Sequence, residues 1–356
     1  MPVPPKPIGG VGVLDSRQTS VMIDLRSDTV TRPSPEMLAT MMASPLGDDV
    51  WGDDPTVAEL ESATASLLGK EAGMFAPSGT QANLCALMAH CQRGDEYLVG
   101  ETAHTYRYEA GGAAVLGSIQ PQPVHYDSDG VMNLDHAASL IKPNDAHFAN
   151  TRLLALENTK DGQVMPLSHH QTAAKLAQTH GLGLHLDGAR LWNAAVALEV
   201  APSKVAEHFD TVSVCLSKGL GAPVGSVLVG QPALIEQARR WRKMLGGGMR
   251  QAGLLAGAGL YAIDNNIDRM KHDHANAAKL ANGLAPIEGI EVLAQNTNMV
   301  FAEFATHHGA EQVQQVADAA DVRIAINGRS ARMVTHLDVS SDDIDTVVEL
   351  VKSGLK

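Results

Sequence analysis

Apolar and polar positions along the chain follow two rhythms. Up to about Asn265, short apolar runs of strand length alternate with stretches whose apolar residues recur every three or four positions. The runs predict strands at 72–76, 96–100, 120–124, 152–157 and 183–187, and two more within 213–230. Helices are predicted over 35–42, 56–68, 78–90, 134–141, 168–180 and 232–245, the second with Thr56 and Glu59 spaced as a capping box. Such alternation predicts an α/β fold, a mostly parallel sheet covered by helices. Beyond 265 the pattern changes to a long helix (267–284), short strands at 290–293 and 299–304, a helix (309–320), a strand through Val334 and a final helix from Asp342. A smaller α+β domain is expected there. The organisation read from the chain is a loose Pro- and Gly-rich arm at 1–21, a large domain at 22–265 and a small C-terminal domain at 266–356.

Composition narrows the functional classes. The 356 residues are 44% hydrophobic, enough for a large core and two domains. Twenty-seven basic against 40 acidic residues give a net charge of −13, which argues against a nucleic-acid or anionic-membrane surface. The cysteines Cys85, Cys91 and Cys215 are odd in number and lack CxxC spacing, as expected of small buried residues in a reducing compartment. No apolar run reaches the roughly 18 residues of a membrane span, and residues 1–21 lack the apolar core of a signal peptide, so a cytoplasmic protein is expected. Four aspartates crowd the segment from Gly47 to Pro55, but their spacing lacks the alternating ligands and closing glutamate of a calcium loop. Turn and cap chemistry explains them, and no metal site is expected.

Candidate chemistry sits at the ends of the predicted strands. In Ser213-Val214-Cys215-Leu216-Ser217-Lys218 an apolar run delivers a lysine into a loop. Desolvation there favours the neutral amine that attacks carbonyls, although a strand-end lysine snorkelling to water fits this stretch equally well. Upstream, another apolar run ends in Asp187, followed by Gly188, Ala189 and Arg190. A lysine for a Schiff base and a carboxylate that keeps a pyridine nitrogen protonated are the parts a pyridoxal phosphate (PLP) enzyme needs. Alone, Asp187 reads as a turn or cap residue. Ser78-Gly79-Thr80, between a strand and a helix, could cradle a phosphate with backbone N–H groups or merely cap the helix. His104 follows a strand at its C-terminal end, where open α/β sheets hold ligands.

Together these pieces resemble the threonine aldolases, PLP enzymes of fold type I, and in particular the bacterial low-specificity and L-allo-threonine members. The matching stretches are IDLRSDTVTRPS from Ile23, GDDVWGDDPTV from Gly47, SGTQANL from Ser78, HTYRYEAGGAAVLGSIQPQPV from His104, LENTKDGQVMPL from Leu156, HLDGARLWNA from His185, CLSKGLGAPVGSVLVG from Cys215, RKMLGGGMRQAG from Arg242 and RMVTHLD from Arg332. The resemblance implies Lys218 as the Schiff-base lysine, Asp187 as partner of the pyridine nitrogen, His104 stacked on the ring, and Gly79 and Thr80 holding the phosphate. It also implies Arg190 at the ring oxygen, Ser27, Arg190 and Arg332 at the substrate carboxylate, and His147 near the substrate side chain. Lys243 and Arg250 match residues that reach a neighbouring subunit's site, so a homo-oligomer is implied, at least a dimer and, as a dimer of dimers, a tetramer. Two departures stand out. Trp51 replaces the usual Tyr, and the loop Asn327–Arg332 is one residue shorter than in some relatives, which makes Arg329 a competing carboxylate ligand.

The reaction implied is retro-aldol cleavage of a β-hydroxy-α-amino acid to glycine and an aldehyde, with a role in threonine breakdown and glycine formation. His104, His147 and an ordered water are all candidates for the base. Two imidazoles at the β-carbon would let both L-threonine and L-allo-threonine react. The rivals are a β-eliminating lyase or aminotransferase on the same fold, and a non-catalytic binding protein that keeps the scaffold.

Overall fold

A computed structural model describes residues 22–356, so the arm read at 1–21 lies outside the described residues. The chain begins with β1 (Ile23–Asp24), α1 (Pro35–Ala43), α2 (Pro55–Leu67), β2 (Ala72–Ala76), α3 (Gly79–His90), β3 (Asp95–Gly100), α4 (His104–Arg107), α5 (Gly112–Val115) and β4 (Gln120–Val124). It continues through α6 (Leu134–Leu140), β5 (Asn150–Glu157), α7 (Leu167–His180), β6 (Gly183–Gly188), α8 (Leu191–Leu198), α9 (Pro202–Ala206), β7 (Thr211–Cys215), β8 (Ser226–Gly230) and α10 (Pro232–Met244). The remainder is α11 (Gly253–Asn265), α12 (Met270–Leu284), β9 (Ile290–Asn296), β10 (Met299–Phe304), α13 (His307–Ala319), β11 (Val322–Arg323), β12 (Ala325–Asn327), β13 (Ser330–Val334) and α14 (Ser341–Gly354).

Seven strands form one sheet in the order β2-β8-β7-β6-β5-β3-β4, in which only β8 runs against its neighbours. Every residue of β7 and β8 is buried, including the hydroxyl residues Thr211, Ser213 and Ser226. The C-terminal ends of the parallel strands share one edge, and Glu157, Asp187 and Cys215 all lie at that edge. A second, antiparallel sheet, β12-β13-β10-β9, packs with α12, α13 and α14 around its own apolar interior.

Three details depart from the sequence expectation. First, α2 starts at Pro55 and is capped by Asp54, whose Oδ1 accepts from the backbone N–H of Thr56 and Val57, so Thr56 is not the cap. Proline at the first helical position has no N–H to satisfy and shifts the start one residue upstream. Second, α11 was not foreseen. Its residues are apolar nearly all round and seven are buried, so no face stands out to be read. A Cβ on Gly259 would lie 2.8 Å from Leu216 and 2.9 Å from Leu60, so only glycine lets α11 pack this closely. Third, β1 pairs in parallel with β11, and Ile23 and Leu25 are buried in the second apolar interior. The segment that follows β1 is thereby held between the two sheets' elements.

Candidate active site

The site assembles at the C-terminal edge of the large sheet. Asp187, buried at the end of β6, accepts from Asn83 Nδ2 at 2.9 Å and from the backbone N–H of Ala189 at 3.1 Å. Asn83 lies on α3 and donates from the same nitrogen to Glu109 Oε1, also at 2.9 Å. Glu109 Oε1 accepts in turn from His104 Nδ1 at 2.9 Å. His104 sits at the start of α4, its backbone N–H donating to Glu157 Oε2 at 2.9 Å. The imidazole is therefore tied down at its Nδ1 edge and at its backbone. The hydrogen bond to Glu109 is the largest influence on His104 and leaves its pKa above the ordinary value. Burial, followed by the charge of Asp187, pushes Glu157 up to about 7. Ligand atoms of His104, Glu109 and Asp187 lie within 4.8 Å of one another. The shared hydrogens of Asn83 and His104 account for this convergence without an ion.

Lys218 follows β7, and its carbonyl accepts from Thr31 Oγ1 at 3.0 Å. Its charge is felt by both His104 and Asp28. Asp28, fully buried, receives a two-pronged contact from Arg190: Nε at 2.8 Å and Nη2 at 2.6 Å. That contact uses Nε and Nη2 and leaves Nη1 out. Arg332 Nη2 donates to the carbonyl of Arg26 at 3.0 Å, and Ser27 lies between that carbonyl and Asp28. One short segment thus gathers Ser27, Arg190 and Arg332. Arg329 points elsewhere, to Glu303 at 2.6 Å and the carbonyl of Ala305 at 3.1 Å, on the turn between β12 and β13.

A phosphate would meet the first turn of α3. Ser78 caps that helix by accepting from the N–H of Gln81, and a Cβ on Gly79 would come within 2.9 Å of Cys215 Sγ, three residues before Lys218. Glycine at 79 thus lets the first turn of α3 pack closely on β7 and β8, and the N–H groups of that turn are the donors a helix start offers to an anion. Together with the buried carboxylate of Asp187 and the flanking imidazole and amine, this donor set fits the phosphate, ring nitrogen and carbonyl of PLP.

The remaining expected residues lie apart. Lys243 lines a surface cavity of about 680 Å³ with Asp49, Trp51 and the buried Arg242, and Arg250 pairs with Asp48 at 2.9 Å. His147 is exposed, bonded only to Asp145 among the described residues, and precedes the N-terminal end of β5. At about 3.3 Å per residue, the eight residues of β5 put His147 roughly 25 Å from the edge that carries Glu157 and Asp187. This corrects the expectation of two imidazoles from one chain at the β-carbon. Sequence reasoning missed Asn83, Glu109, Asp28 and Glu157; only Asn83 and Glu157 carried a signal, a polar residue within or ending an apolar run.

Residues 24–307 match the sequence pattern of the Beta-eliminating lyase family. The chain is 52% identical to the low specificity L-threonine aldolase of Escherichia coli (strain K12), over 92% of this chain and 97% of that protein. It is 41% identical to the low-specificity L-threonine aldolase 1 of Arabidopsis thaliana, over 90% of this chain and 93% of that one. Among solved structures, the threonine aldolase of Leishmania major superposes with a TM-score of 0.79 at 21% identity, covering 94% of this chain and 100% of its own. That last likeness speaks to the fold.

Proposed function

The chain belongs to the threonine aldolases of the beta-eliminating lyase family, and from that premise we propose that it cleaves L-threonine, L-allo-threonine and related L-β-hydroxy-α-amino acids to glycine and an aldehyde, with PLP as cofactor. The observation that carries this reading is the gathering of Lys218, Asp187 and His104 at one sheet edge beside the Arg190–Asp28 pair. Lys218 would hold the cofactor by its amine, Asp187 would face the ring nitrogen, and the N–H groups of Gly79 and Thr80 would take the phosphate. When bound, PLP supplies the sink for the electron pair left as the Cα–Cβ bond breaks.

The chain's own residues do the rest. Ser27, Arg190 Nη1 and Arg332 hold the substrate carboxylate, and this anchoring selects which Cα bond stands perpendicular to the ring. A fork of guanidinium donors suits that task better than a lysine point charge. His104 donates its Nδ1 hydrogen to Glu109, so its neutral form presents Nε2 as the acceptor of the β-hydroxyl proton.

Exposed Met42, Trp51, Tyr108, Val115, Leu116 and Met244, each 56–79% accessible, support a homo-oligomer, which we place at a tetramer. Lys243 and Arg250 would then serve a neighbouring site. His147 can act near a substrate only in the site of another copy. No helix among the described residues is long and apolar enough to cross a membrane, in keeping with the cytoplasmic location we propose. Measured kcat/KM for the four threonine stereoisomers tests the reading: both L-forms should release aldehyde and both D-forms should not. Release from a D-form at a rate comparable to the L-forms would remove the carboxylate anchors from the account.

A further inference from the structure

Among the described residues Asn83 is the one side chain hydrogen-bonded to both Glu109 and Asp187, and its surroundings fix every hydrogen it uses. His185 and Asp187 alternate along β6 and stand beside Thr211 and Ser213 on β7, so all four present one face to α3, which carries Asn83 and, seven residues on, His90. The oxygen of the Asn83 amide has no hydrogen. Ser213 Oγ must therefore donate to it, and so must His185 Nε2 at 3.2 Å. His185 is completely buried, and burial pushes it down to about 3, so it carries a single proton, on Nε2. Its Nδ1 then accepts from Thr211 Oγ1 at 2.9 Å. With that hydroxyl hydrogen spent, His90 Nε2 donates to Thr211 Oγ1, also at 2.9 Å. At the other end, the two Nδ2 hydrogens of Asn83 go to Glu109 and Asp187. A flipped amide would set its oxygen against two carboxylates.

We propose that Asn83 is a positioning residue: with both amide hydrogens it joins Asp187 to the Glu109–His104 pair, the hydrogen-bond chain from His90 fixes which way that amide faces, and the Glu109 carboxylate it holds keeps neutral His104 in its Nδ1–H form with Nε2 bare. The chain needs no group from outside the protein. It makes the orientation of Asp187 and the placement of Glu109, the acceptor that sets the tautomer of His104, two consequences of a single side chain, although the residues come from elements far apart in sequence. This deepens the reading above and rests on it only in treating Asp187 and His104 as the cofactor-facing groups.

The test has two arms. Neutron diffraction from deuterium-exchanged crystals of the wild-type holoenzyme at about pH 9, above the ordinary histidine range, should find deuterons on His104 Nδ1, His185 Nε2 and His90 Nε2, and two on Asn83 directed at Glu109 and Asp187. A deuteron on His104 Nε2 with Nδ1 bare, or an amide oxygen facing the carboxylates, overturns the proposal. In the second arm, Asn83→Asp keeps the size and the acceptor but removes both donors. Its kcat per bound cofactor for L-allo-threonine should fall roughly 10- to 100-fold, as for hydrogen bonds to charged groups, with KM within about twofold because the carboxylate anchors are untouched. A merely structural role would lower the yield of folded holoenzyme and leave kcat per bound cofactor at the wild-type value, and that result also overturns the proposal. If the wild type cleaved no hydroxy amino acid, the functional reading would fail while the neutron map still decided the proton positions.

Discussion

Replacing Asp28 by asparagine should weaken the protein and its substrate binding at once. The carboxylate has no solvent exposure and meets Arg190, itself mostly covered, through two donors at 2.8 and 2.6 Å, with Asn298 Nδ2 at 3.4 Å completing its surroundings. An asparagine can accept through one oxygen only and turns an NH₂ towards the guanidinium, so Arg190 is left as a buried, uncompensated cation. Breaking such a pair costs about 3–5 kcal/mol. At about 2.1 cal/mol/K of unfolding entropy per residue, a chain of 356 residues loses about 1.3 °C of melting temperature per kcal/mol, so the loss is about 4–7 °C. The pH dependence has a definite sign. Burial, the largest single influence, raises the carboxyl, but the charge and hydrogen bonds of Arg190, the charge of Lys218 and the Asn298 hydrogen bond together outweigh it, and the folded-state pKa lies below the ordinary value. The pair's contribution is therefore fully present above the unfolded carboxylate pKa of about 3.9 and fades as pH falls through the folded value. Calorimetry of wild type and Asp28→Asn at pH 7 should show the full gap, which should narrow only in acid. KM for L-allo-threonine should rise as well, since a reoriented Arg190 no longer aims Nη1 at the carboxylate. A variant that melts within about 2 °C of wild type at pH 7 and keeps its kcat/KM would refute the reasoning.

Two further outcomes follow from the same geometry. Arg332→Ala should lower kcat/KM roughly 10- to 100-fold, with Arg332→Lys recovering little; Arg329→Ala should stay near wild type because its guanidinium serves Glu303, and the reverse ranking would show that Arg329 is the carboxylate ligand. Because the bond to Glu109 raises the pKa of His104, the basic form appears only as pH climbs past the ordinary histidine value, and Glu109→Ala should move the acid limb of kcat to lower pH. A limb that stays put or moves upward would separate that limb from His104.

The apolar rhythm made the large sheet legible because strands buried on both faces, such as β8, are mostly apolar, and a charged residue that ends such a run is conspicuous. Lys218 and Asp187 were visible for that reason. The motif at Ser78 was visible because a helix cap is written within four residues. Asn83 was not, since an amide inside Ala82–Ala86 reads as one polar interruption of a buried helix, and its partners come from β6, β7 and the segment after α4. Asp28 was hidden likewise, because its partner Arg190 is 162 residues away. β11 is the partner of β1, and no local pattern announces a two-residue parallel pairing between chain ends. His147 shows the opposite failure: its family match was legible, but the direction of β5, which sets it at the far edge, is a property of the assembled sheet.

The central claim is that the bond broken is Cα–Cβ. The family also carries β-elimination chemistry in its name, so the decisive measurement is the product balance when the purified holoenzyme consumes L-threonine, followed by proton NMR with Lys218→Ala as the blank. The account predicts glycine and acetaldehyde in equal amounts from the wild type and neither from Lys218→Ala. 2-Oxobutyrate and ammonia as the main products would contradict it.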